Sequence, residues 1–177
     1  MTKGADEWDN KFIFRDIKPC IVKNGEVEYY LSKNNFNYKE DGITPSVLDG
    51  TDGDVMIEIP KFGYRIYKDT DNGNNILYVS ITNNPAIVEE DPRYSYYAFT
   101  REDAGDLDHF YWGAYKGWLD GQGKLRSLPG KTPASNKTLA AFKQTAKLNG
   151  ERYSISSYFQ LVALQCLYLI KYGNLDG

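Results

Sequence analysis

Between Val55 and Ile66 the chain alternates apolar and polar residues, and the alternation changes parity at Pro60. Val55, Ile57 and Ile59 alternate with Met56 and Glu58, the period of a half-buried strand. Beyond Pro60 the apolar set becomes Phe62, Tyr64 and Ile66, interleaved with Lys61, Gly63 and Arg65. A slip of one residue sends every later side chain to the opposite face of a sheet. Pro60 cannot donate to a ladder and Gly63 weakens one. A bulge or sharp bend near Pro60 is therefore expected, with one long strand serving two surfaces.

The stretch ahead of that strand, LDGTDGD, raises the question of a metal. A calcium loop of the EF-hand kind needs oxygen ligands at its first, third and fifth positions and glycine at the sixth. Counting from Asp49 places Asp49, Thr51 and Gly53 at the ligand positions and Asp54 where the glycine belongs, so the spacing fails. Asp and Gly before a strand suit a tight turn, because glycine takes positive φ and Asp bonds the backbone two residues on.

Other local signals organise the rest. Asn24-Gly25 separates KFIFRDIKPCIV from EVEYYLS, the signature of a type I′ hairpin. Asp71-Asn72-Gly73-Asn74 predicts a second hairpin leading into ILYVSIT. Short strands are expected around Tyr96 to Thr100 and His109 to Ala114, inside long glycine-punctuated loops. Ser135 is a candidate N-cap for a helix to about Leu148, with Leu139, Phe142 and Ala146 on one stripe. Ser154 or Ser156 can cap a second helix, SYFQLVALQCLYLIKY, closed by Lys171 and Gly173. Being apolar almost all round, that helix is expected at the buried centre. Strands first and helices later, without βαβ alternation, read as an α+β fold.

The 177 residues fit one domain with a small extension. The net charge of −3, with both signs interspersed, argues against nucleic-acid binding, which needs a concentrated basic patch. The apolar run from Tyr158 to Ile170 is too short to cross a bilayer. MTKGADEWDN has no positive stretch followed by an apolar one, so synthesis in the cytoplasm without a secretory leader is expected. Cys20 and Cys166 are expected as two buried free thiols.

Few residues invite a catalytic reading. His109 is the sole histidine and has no Ser or Cys in a recognisable frame. Glu102, Asp103, Asp106 and Asp108 could supply a glycosidase pair, although a hydrated acidic loop gives the same pattern. No phosphate-binding glycine motif occurs. No catalytic residue, metal ligand or cofactor is assigned. Aromatic residues make up 15% of the chain, and RYSYYAF and FYWGAYKGW set Tyr94, Tyr96, Tyr97, Trp112, Tyr115 and Trp118 in the loop-rich region. Exposed, such rings make rigid amphipathic contacts. Tyr94 and Trp118, flanked by charges and glycines, are the candidate binding residues.

DGTDGDVMIEIPKFGYRIYK, YWGAYKGW, KLRSLPGKTPASNKTLAAFKQTAKLNG and FQLVALQCLYLIKYGNLDG, in that order, resemble phage and prophage tail-associated proteins with a C-type-lectin-like domain. That group is related to the variable proteins of diversity-generating retroelements and to the formylglycine-generating-enzyme-type fold. The resemblance covers about residues 42–177 and leaves 1–41 as an N-terminal strand and hairpin extension. It implies a non-enzymatic virion protein, assembled in the host bacterial cytoplasm, that presents loops to a host cell-surface glycan or protein. Other virion proteins and copies of itself are the implied partners, without nucleic acid or membrane insertion. A structural virion adaptor without receptor affinity and a carbohydrate-active enzyme using the loop carboxylates are the alternatives. Relatives continue past the YGN stretch into a glycine- and tryptophan-rich half with no counterpart up to Gly177. No binding residue is therefore carried over, and whether the domain is incomplete stays open.

Overall fold

The computed structural model describes residues 5–70, 75–102 and 105–173. In chain order its elements are α1 (Ala5–Trp8), β1 (Lys18–Lys23), β2 (Glu26–Tyr30), β3 (Asp54–Pro60), β4 (Gly63–Asp69), β5 (Ile76–Thr82) and α2 (Pro85–Glu90). Then follow β6 (Thr100–Arg101), β7 (Gly105–Asp106), β8 (His109–Gly113), β9 (Trp118–Leu119), β10 (Leu125–Arg126), α3 (Leu139–Lys147) and α4 (Tyr158–Tyr172). The fold is α+β, and β1–β2, β1–β3, β4–β5, β6–β7 and β9–β10 all pair antiparallel. Two compact units interleave along the chain: Met1–Asp16, Pro60–Phe110 and Ser156–Gly177 form the first, Ile17–Ile59 and Tyr111–Ile155 the second.

The parity change at Pro60 becomes a break between two strands. β3 belongs to a four-stranded sheet of order β2-β1-β3-β8, whereas β4 forms a separate two-stranded sheet with β5, from Gly63 opposite Thr82 to Asp69 opposite Ile76. The expected single bent strand is thus two, each with its own parity and its own sheet. Gly63 is set by close approach, since a Cβ there would lie 2.5 Å from Val88 Cγ2. The short helix α2, which supplies Val88, was not expected from the sequence. Asn84 caps it by accepting from Ala86 N at 3.1 Å, and Pro85 fills its first turn.

In the second unit, β1 and β2 turn at Asn24 and Gly25, whose φ angles of 54° and 88° fit the expected hairpin turn. The strand preceding it begins only at Lys18; residues 11–16 form turns, with Ile13 at φ 67°. Ile21, Leu31, Val55 and Leu128 form the core, against which Tyr29, Phe36, Leu48 and Trp118 pack. Burying each of the four contributes about 1.5–3 kcal/mol. Gly53 launches β3 at φ 145°, where a Cβ would run into the Val22 carbonyl, 2.8 Å from its carbon.

α3 starts at Leu139, three residues later than a cap at Ser135 would allow. Asn136 sits at φ 57°, which stops a helix, and Thr138 becomes the cap by accepting from Ala141 N at 3.2 Å. Of the stripe Leu139, Phe142 and Ala146, only Ala146 is buried.

The first unit centres on Phe62, Phe99 and Phe110, with ring centroids 5.4 and 5.1 Å apart along that series. The expected strand at Tyr96 to Thr100 is mostly a turn, Phe99 N and Thr100 N both donating to Tyr96 O. The turn at Asp71 to Asn74 lies outside the described residues. α4 packs on β4 and β5. Ser157 and Gln160 close a capping box on it, one residue beyond Ser156, the later of the two expected caps, and Gly173 ends it at φ 68°. Central burial of α4 is not what the fold delivers. Only Ala163, Cys166 and Leu167 are buried, while Tyr158, Phe159, Leu161 and Tyr172 are exposed. A two-stranded ribbon is too narrow to wrap a helix, so one face of α4 stays uncovered. No helix among the described residues is long and apolar enough to cross a membrane.

Both cysteines are free and buried. Burial pushes the Cys20 thiol up to about 12, with the Glu58 carboxylate adding to it, and Cys166 up to about 11. A thiol-specific reagent at about pH 8 is expected to label neither in the native protein and both in denaturant; native labelling would contradict this packing. Gly53→Ala is expected to cost about 1–3 kcal/mol in urea unfolding. Gly121→Ala, with open space around its Cβ position, should stay within about 0.5 kcal/mol of the parent.

Candidate binding site

The carboxylates that raised the metal question each serve a different tie. Asp49 accepts from Thr51 N at 2.9 Å, closing the turn on itself. Asp52 accepts from the Tyr29 hydroxyl at 2.8 Å. Asp54, buried, accepts from Ser127 N at 2.8 Å and from Arg126 Nε at 3.0 and 3.1 Å. Arg126 also donates to Gly50 O at 3.0 Å, so one guanidinium spans the turn and the strand it launches. Desolvation pushes the Asp54 carboxyl up, against the opposing pull of Ser127 N and Arg126. The acidic cluster thus anchors a turn, as its residue types implied.

In the acidic loop, Asp106 accepts from Lys61 Nζ and from Thr100 Oγ1, each at 2.7 Å. Those two donors hold its carboxyl below the usual range, which suits an ion pair and not a proton donor at neutral pH. Asp103 lies outside the described residues. His109 is half-buried at the start of β8.

The two candidate contact residues fall in different units and neither is the exposed ring expected. Trp118 is half-buried against the second unit's core, with Lys131 Nζ 4.8 Å from its ring centroid. Tyr94 is half-buried in the first unit, under the Arg65 guanidinium at 4.6 Å. The exposed neighbour is Tyr97, at 60%.

Tyr97 stands in a recess of about 220 Å³ whose wall includes Arg65, Arg93, Ser95, Tyr158 and Phe159. Its construction follows from the parity of β4. Tyr64 is buried on one face of the strand, and Arg65, half-buried, takes the other face with Gly63. Ser95 joins the free edge of β4, its N–H donating to Tyr64 O at 3.0 Å and its carbonyl accepting from Tyr64 N at 3.2 Å. This brings the 93–97 segment beside Arg65. Asp91, at the end of α2, then takes Arg65 Nη1 on one side and both Nε and Nη2 of Arg93 at 2.8 Å on the other. Tyr67 lies against both guanidiniums, 5.0 Å from Arg65 and 4.6 Å from Arg93, and stacks on Tyr78 at 5.0 Å. The first turn of α4 completes the recess with Tyr158 and Phe159, the Phe159 ring 5.1 Å from Tyr97. Arg65 Nε is buried without a hydrogen-bond partner among the described residues.

The signals for this site were present but scattered. Arg65 occupies the polar parity of a strand, Tyr97 the third tyrosine of RYSYYAF, and Tyr158 the first position after a cap. Only tertiary placement joins them.

The Arg93 side chain leads the causes that hold Asp91 well below the ordinary carboxyl value of 3.8. A depressed folded pKa stabilises the native state above the unfolded value and loses that contribution as pH falls through the folded one. The stability gap between the parent and Asp91→Asn should therefore be full at about pH 7, narrow below about pH 4, and close in stronger acid. A gap independent of pH in urea unfolding would remove Asp91 from this role.

No family model, curated protein or solved structure matches this chain.

Proposed function

We propose that the chain is a non-enzymatic bacteriophage virion protein, a tail-fibre, receptor-binding or decoration component that presents loops to a host cell-surface glycan or protein. The motifs from DGTDGDVMIEIPKF to LYLIKYGN support the virion assignment and a C-type-lectin-like form of the α+β fold. The observation that carries the binding role is the uncovered aromatic surface of the first unit. Tyr97, Tyr158 and Phe159, at 60%, 74% and 45% exposure, gather around a recess that also holds two arginines. Rigid rings beside guanidiniums are the residue types that dominate contact energy in recognition surfaces. The engagement of Asp106 with Lys61 and Thr100 leaves the acidic loop better suited to holding shape than to glycosidic bond cleavage. Repeated copies on a virion, beside other virion proteins, would let individually weak contacts act together.

Labelled protein is expected to adsorb saturably to intact bacterial envelopes from at least one strain of a broad panel, without releasing soluble sugar. Tyr97→Ala should reduce that adsorption about tenfold, roughly 1.4 kcal/mol. Adsorption to none of the envelopes favours a purely structural adaptor, and sugar release favours an enzyme; either result overturns the attachment reading.

A further inference from the structure

The recess has a chemistry that narrows its ligand, on the reading that it is the contact surface. Its volume of about 220 Å³ falls below the roughly 300–1,000 Å³ of sites that enclose drug-sized molecules. It therefore fits a single ring or a short group better than an elongated guest. Its aromatic walls are open to water, so a wholly apolar guest would remain largely wetted and gain little. A ring with one C–H face and a hydroxylated rim matches such walls, because it stacks on the aromatic side and stays hydrated on the other.

Charge narrows it further. Arg65 and Arg93 oppose the single carboxylate of Asp91, leaving a net positive charge at the group. Among the described residues that line the recess there is no Asp or Glu. Arg93 is the outward member, with 53% of its side chain exposed against 20% for Asp91. Only part of its N–H fork is spent on Asp91, so donors remain for an incoming oxygen. Arg65, bound to Asp91 with its guanidinium between Tyr67 and Tyr94, keeps the group positive behind Arg93. Guanidiniums are suited to carboxylate and phosphate oxygens through paired N–H donors.

We infer that this recess binds a saccharide ring bearing a negatively charged group, carboxylate or phosphate. The ring lies on Tyr97, Tyr158 and Phe159, and the charge faces Arg93 with Arg65 behind it. Neutral sugars lose the second half of the interaction, and inorganic anions lose the first.

NMR titration of the full chain with methyl glucuronide, glucose 6-phosphate, methyl glucoside and inorganic phosphate tests this. At least one of the two charged sugars should bind about tenfold more tightly than the neutral sugar and than phosphate alone; which of the two is preferred identifies the natural charge. Tyr158→Ala, at a largely exposed position where folding is not at stake, and Arg93→Gln should each weaken that binding about tenfold. Equal affinity for the neutral sugar, equal affinity for phosphate alone, no binding of either charged sugar, or insensitivity to Tyr158→Ala would overturn the inference. Envelope adsorption retained alongside any of those results would leave the attachment reading standing and sink only the assignment of the ligand.

Discussion

Pro60 has no N–H to give, and Gly63 has no room for a side chain beneath Val88. Between them the chain leaves a four-stranded sheet and enters a two-stranded ribbon, changing the face that each parity presents. The rest of the first unit follows from that change. Phe62 and Tyr64 turn inward to meet Phe99 and the base of α4, and Arg65 is placed on the opposite face. Had the earlier parity continued through residue 65, an arginine would occupy a core position and the Asp91 clamp would have nothing to hold. A one-residue slip in register, costing one ladder hydrogen bond, thus decides where charge and aromatic surface are displayed.

The second unit solves a different problem. It has a compact core in Ile21, Leu31, Val55 and Leu128, and its buried ionic group, Asp54 with Arg126, has hydrogen-bond partners on each side. A buried carboxylate stripped of such partners would cost several kcal/mol; of the three acids in LDGTDGD only Asp54 is buried, and it has them. The first unit is less complete: Arg65 Nε lacks a partner among the described residues, and Tyr97, Tyr158 and Phe159 are exposed. Unpaired donors and uncovered rings are normally removed from a surface whose only task is stability.

What could be read from residues alone were features decided within a few positions. Asn24-Gly25 demanded positive φ at both residues, Gly173 after Lys171 marked a helix end, and the shift at Pro60 marked a change of surface; the structure contains all three. Features set by distant partners were not legible. α4 reads as a central helix because its composition is apolar all round, yet the ribbon it packs on covers one face only. Asn136 takes a left-handed conformation that no helix propensity reveals, and moves the start of α3 to Leu139. Tyr94 and Trp118 have the flanking residues of exposed rings, but Arg65 and the second unit's core claim them. Tyr97, flanked by Tyr96 and Ala98, carries no such local signal and is the ring left open.

The central claim is that the open aromatic and guanidinium surface of the first unit makes contact with the host. Radical footprinting of the protein adsorbed to bacterial envelopes, compared with the free protein, tests it most directly. Protection confined to Tyr97, Tyr158 and Phe159, with the exposed side chains of Ile43 and Leu148 labelled as before, is the result this account requires. Unchanged labelling of those three rings, with protection centred on Trp118 and its neighbours instead, would contradict it.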